Sequence, residues 1–170
     1  MKDFIVSWEE IYKNIVENDF PEFDYIIAIA RGGLIPATLI SYKYKTNNLL
    51  TITTELYDPE SNELRNNIRI KYPLSGLDIS RLSKSKNILI VDDILDSGET
   101  LIAVESYLKT VIPNCPNLNF YTICKKFDGR LKIPELFDKV KSSLIIDTDC
   151  WVTFPWDISD LANSKIKEVL

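Results

Sequence analysis

Apolar runs that do not alternate set the framework of this chain. Tyr25–Ala30 (YIIAIA), Asn87–Val91 (NILIV), Phe120–Cys124 (FYTIC) and Leu144–Ile146 each stay largely apolar, the pattern of strands buried on both faces. Leu49–Glu55, rich in Thr and Ile, predicts a further strand. Helical patterns lie between them. Ser7 and Glu10 have capping-box spacing, and Ile11, Ile15 and Val16 continue a helix that Pro21 closes. Leu34–Tyr44 predicts a second helix with Pro36 in its tolerated first turn, and Glu99–Val111 a third, before Pro113. Tyr57–Tyr72 is polar, with turn residues at Asp58-Pro59 and Asn66-Asn67, and reads as a mobile loop or a two-stranded flap. Trp151–Asp157 (WVTFPWD) is an aromatic segment, and Asp157 is placed to cap a final helix reaching Val169. Strands alternating with helices need crossover connections, so the expected class is α/β, a mainly parallel twisted sheet flanked by helices. Such sheets place ligands at the carboxyl ends of their strands.

No repeat or Gly/Ser linker divides the 170 residues, which suit a single domain over 1–170. A net charge of −5 opposes unspecific binding to nucleic acid. The chain has no histidine, so a Ser-His-Asp triad, a Cys-His dyad and a histidine metal site are excluded. Acid–base and metal chemistry then falls to carboxylates, lysines, tyrosines and the backbone. Cys115, Cys124 and Cys150 are spaced too widely for a zinc knuckle and read as small core residues in a reducing compartment. The opening MKDFIVSWEE is not an apolar leader, and no apolar run approaches the ~20 residues of a membrane span. The expectation is a cytoplasmic protein without membrane partners.

Chemistry concentrates in Val91–Thr100 (VDDILDSGET). A buried strand delivers adjacent Asp92 and Asp93, and then Asp96, Ser97, Gly98, Glu99 and Thr100 turn into a helix. A helix N-terminus behind a small-residue loop offers backbone N–H groups and a positive dipole end to a phosphate. Two carboxylates beside it suit vicinal sugar hydroxyls or hydrated Mg²⁺. Arg31-Gly32-Gly33, also between strand and helix, reads as an ordinary tight turn or as a second anion site with backbone amides and an Arg fork.

The ten-residue run resembles the phosphoribosyl-pyrophosphate (PRPP) signature of type I phosphoribosyltransferases. Its defining positions all match, and Glu99 falls at a variable one. The resemblance implies that Asp92 and Asp93 contact the ribose hydroxyls and Mg²⁺. It also implies that Asp96–Thr100 hold the 5′-phosphate, and that Arg31, Gly32 and Gly33 form the pyrophosphate loop. Thr122-Ile123-Cys124-Lys125-Lys126 followed by WVTFPWD is similar to purine-type members, above all the xanthine–guanine enzymes. On that likeness Lys126, rather than Lys125, donates to a purine 6-oxo group and Trp151 stacks on the base. Val152 meets the base edge through its backbone, and Asp157 closes the segment.

The same resemblance implies a core over about 20–126 with a small C-terminal hood over about 127–170. The implied reaction is Mg²⁺-dependent transfer of phosphoribose from PRPP to a 6-oxopurine, with Asp96 as general base at N7. Tyr57–Tyr72 would be the lid, with Arg65, Arg69 and Lys71 as candidate cations. A homo-oligomer, dimer or tetramer, is also implied. The alternatives are transfer to another base, or a PRPP- or nucleotide-sensing regulator on the same fold.

Overall fold

The computed structural model describes residues 2–57, 67–127, 134–147 and 150–158. The main sheet is built from β2 (Tyr25–Ala30), β3 (Leu49–Tyr57), β4 (Asn67–Tyr72), β5 (Asn87–Leu95), β6 (Asn117–Phe127) and β7 (Val140–Asp147). Their order is β4-β3-β2-β5-β6-β7, with only the β3–β4 pair antiparallel. A second, two-stranded parallel sheet joins β1 (Lys2–Ile5) to β8 (Cys150–Thr153). The helices are α1 (Trp8–Glu17), α2 (Leu34–Lys43), α3 (Gly76–Leu82), α4 (Glu99–Val111) and α5 (Glu135–Lys139).

The runs lack polar alternation because the sheet is covered on both sides. Ile26 and Ala28 of β2 pack with Ile11 and Ile15 of α1 and with Ala37 and Ile40 of α2. The intervening Ile27 and Ile29 face Leu82 of α3 and Leu101, Val104 and Leu108 of α4. Each fully buried aliphatic side chain contributes about 1.5–3 kcal/mol, so an Ile27→Ala cavity would cost about 2–5 kcal/mol.

Local signals explain the helix ends. Both halves of the Ser7–Glu10 capping box form. The last carbonyls of α1 receive their cation from the neighbouring helix, for Lys43 Nζ donates to Ile15 O and Val16 O at 3.0 Å. That contact satisfies acceptors a helix terminus leaves open.

The chain leaves β2 for β3 on one side and returns to β5 on the other, so strand order reverses between β2 and β5. The carboxyl ends of these neighbours flank the crevice where doubly wound sheets bind ligands. Of the expected flap, the described part is a two-stranded ribbon in which β4 pairs back onto β3 at the sheet edge; Asp58–Asn66 lie outside the described residues. β7, in the stretch expected to belong to the hood, is an edge strand of the main sheet, and β8 pairs with the N-terminal β1. The helix expected after Asp157 falls beyond the described residues.

Candidate functional site

The Arg31–Gly33 turn leaves the carboxyl end of β2 and enters α2, with Gly33 at the helix cap; the Ala30–Arg31 peptide is cis. Both glycines lie in close approach to β5, and only Gly33 meets backbone there. A Cβ on Gly32 would overlap the Asp93 carboxylate, and one on Gly33 would overlap the Val91 carbonyl. The turn therefore lies directly on β5 and its two acids. The amide of Gly33 is not available to an anion as the sequence suggests, because it donates to Ile29 O at 2.9 Å. Gly33 serves packing, which leaves Arg31 and Gly32 as this turn's candidates for anion contact.

Asp92 and Asp93 belong to β5 itself. Asp92 is buried, and its carboxylate accepts the Asp93 amide at 3.0 Å. Desolvation, then the neighbouring Asp93 charge, pushes its pKa well above the carboxylate range. Desolvation and the Asp157 charge raise Asp93 to about 6. Arg31, Gly32, Asp93, Trp156 and Asp157 line an open cleft of about 600 Å³, with Leu34 and Ile35 of α2 at its wall. Among the described residues no cluster of three or more His, Cys, Asp or Glu side chains could hold a metal by itself.

Beyond Leu95 the chain turns through Asp96 and Ser97 into α4. Gly98 caps that helix with φ 80°, a conformation that favours glycine. Glu99 and Thr100 open α4. Ser97 Oγ donates to Glu99 Oε2 at 3.2 Å and accepts the Glu99 amide at 3.4 Å.

Strand alternation separates the two lysines of β6. Lys125 Nζ donates to Phe137 O at 2.7 Å and Val140 O at 3.2 Å and lies over the Phe137 ring. Lys126 faces the other way, and its Nζ pairs with Asp96 Oδ2 at 3.0 Å. Trp151 is 54% exposed on β8 and outside the cleft lining, whereas Val152 beside it is buried in the core. Asp157 closes the following turn by accepting the Phe154 amide at 2.8 Å.

Trp156, to which the sequence reading gives no site role, packs against the core and also lines the cleft, stacking on Phe154 and meeting Trp8 edge-on. An aromatic between proline and aspartate carries no periodicity to reveal this. Of the candidate lid cations, Arg69 and Lys71 both pair with Glu55 across the β3–β4 ribbon, at 2.6 and 2.9 Å; Arg65 lies outside the described residues.

So the structure brings Arg31, Gly32, Asp93 and Asp157 around one cleft, and Lys126 and Asp96 into one pair, at the carboxyl strand ends, the edge that binds ligands in sheets of this kind. A relative from Chromohalobacter salexigens, a xanthine-guanine phosphoribosyltransferase, is 29% identical over 164 residues, 92% of this chain and 85% of that protein. A Neisseria gonorrhoeae protein solved with ppGpp bound has the same fold, with a TM-score of 0.72 at 24% identity over 96% of this chain and 94% of that one. So does the Helicobacter pylori xanthine-guanine-hypoxanthine phosphoribosyltransferase, with a TM-score of 0.66 at 22% identity over 94% of this chain and 98% of that one. The phosphoribosyl transferase domain model matches residues 3–163, and the chain belongs to that family.

Proposed function

We propose that the protein transfers the 5-phosphoribosyl group from PRPP to a 6-oxopurine, releasing pyrophosphate and a purine nucleoside 5′-monophosphate. The observation that carries this reading is the contact of the Arg31–Gly33 turn with Asp93, at the edge where the Asp96–Thr100 loop also begins. PRPP bears an anion at each end of one ribose, and two anion loops on neighbouring strands bracket such a molecule.

Breaking the bond at ribose C1 leaves positive charge on the sugar and negative charge on pyrophosphate. Arg31 and the Gly32 amide would stabilise the departing anion, and backbone amides of the Ser97–Thr100 turn would hold the 5′-phosphate. Asp96 would take the N7 proton of the purine while Lys126 donates to the 6-oxo oxygen, both from their observed pair. Trp151 would stack on the base and the Val152 backbone would meet its edge. An ammonium at Lys126 accepts a 6-oxo group and rejects a 6-amino one.

The donor set fits Mg²⁺, a hard cation usually bound through one or two carboxylates together with substrate phosphates. Adjacent Asp92 and Asp93 would hold it, and their raised pKa values mark carboxylates that lack a compensating cation among the described residues. When bound, the ion would neutralise charge on the leaving pyrophosphate.

A base panel tests the proposal. Pyrophosphate release from PRPP is measured with guanine, xanthine, hypoxanthine, adenine and uracil, with and without Mg²⁺. Turnover with at least one 6-oxopurine and none with adenine or uracil is expected. Turnover confined to uracil, or release with no base, would defeat it.

A further inference from the structure

We propose that the Glu99 carboxylate is a resident anion of the 5′-phosphate loop, which a 5′-phosphate must displace from Ser97 and which weakens the binding of every ligand carrying one. The inference rests on the reading of Asp96–Thr100 as that loop.

Glu99 is the first residue of α4, on the carboxyl-edge turn that Gly98 shapes with its positive φ. Its side chain folds back along the loop, and Oε2 accepts the Ser97 hydroxyl at 3.2 Å while its own amide points at Ser97 Oγ. The carboxylate thus holds the hydroxyl of a loop whose purpose is to donate to phosphate. A helix N-terminus favours any negative charge there, so the side chain and an incoming phosphate compete for the same field. Because two anions at close range repel, binding a phosphate dianion requires Glu99 to let go of Ser97. The nucleoside monophosphate product keeps its 5′-phosphate and meets the same repulsion, whereas pyrophosphate binds at the other loop and does not. Glu99 is therefore a specificity-setting residue that lowers affinity at one end of the substrate and hastens release of the nucleotide.

The test is calorimetric titration of the full chain with two probes, ribose 5-phosphate and pyrophosphate, in wild type and in Glu99→Gln and Glu99→Gly. Expected is a roughly tenfold gain in ribose 5-phosphate affinity in both variants, with pyrophosphate affinity unchanged. In steady state KM for PRPP should fall, and kcat should fall with it as the nucleotide leaves more slowly. Equal or weaker ribose 5-phosphate binding in the variants overturns the inference, as does a parallel gain for pyrophosphate, which would mark a general charge effect. If ribose 5-phosphate binds none of the three proteins, the reading of the loop fails too. Thermal melts of each variant separate this role from simple helix capping, which would lower Tm without raising affinity.

Discussion

Lys126 Nζ lies 3.0 Å from Asp96 Oδ2, and the two sides of the pair are unequally covered, with the lysine side chain 6% exposed and the aspartate 42%. The buried ammonium is held in place by a carboxylate that still reaches solvent. In a 6-oxopurine, O6 and N7 lie on one edge, so a base lying against the pair would meet both groups with that edge.

That arrangement predicts separable defects. Asp96→Asn keeps the shape but removes the base, so kcat should fall about 10²–10⁴-fold while PRPP affinity holds within a few-fold. Lys126→Met should raise KM for the 6-oxopurine and erase discrimination against adenine. Steady-state kinetics with both bases checks this. Equal loss of kcat and PRPP binding in Asp96→Asn would make Asp96 structural.

A pH-dependent cost resides at Asp93. Its pKa is raised to about 6 in the folded protein, by burial first and Asp157 second, so between about 4 and 6 the native state holds a proton that the unfolded chain has lost. Stability from this group is complete below the unfolded value and declines as pH rises through about 6. Asp93→Asn should therefore raise the stability of the ligand-free protein by about 3 kcal/mol at pH 7.5, or several degrees of Tm. It should have little effect at pH 4. Melting curves at the two pH values without divalent cation decide the matter.

Asp24 has the opposite sign. Its Oδ2 accepts the amides of Lys86 and Asn87 at 2.6 and 3.0 Å, pinning the start of β5 beside β2. Hydrogen bonds from Asn87 and Lys86 hold its pKa below the usual value, so its stabilisation is present above about 4 and is lost as pH falls through the lowered value. Asp24→Ala should lower Tm at pH 7, and the gap to wild type should close in acid. A gap that persists in acid would assign the loss to packing.

Much of this could be read from residues in order. Tyr25–Ala30 and Asn87–Val91 announce strands covered on both faces, and Ser7–Glu10 and Gly98 announce helix starts. The ends of the strands could not be read. β5 continues through Asp92 and Asp93 and β6 through Lys125 and Lys126, because pairing with neighbours carries the backbone on where polar site residues interrupt the apolar pattern. α3 and α5 are too short for a periodic signal. The role of Gly33 depends on the Val91 and Ile29 carbonyls of two strands, a relation invisible in a linear Arg-Gly-Gly. Trp156 lines the cleft with its ring against Phe154 and Trp8, and the contact with Trp8 joins residues far apart in the sequence.

The small sheet has a consequence for biosynthesis. Asp3 is registered with Trp151, and Phe4 with Val152, so the strand proposed to read the base is completed by residues translated long before it. On the ribosome the proposed phosphate loops after β2 and β5 would emerge well ahead of that closure, and selectivity for the base would be the last property a nascent chain acquires. Deleting residues 2–6 should accordingly blunt the choice among purines while leaving ribose 5-phosphate and pyrophosphate binding nearly intact.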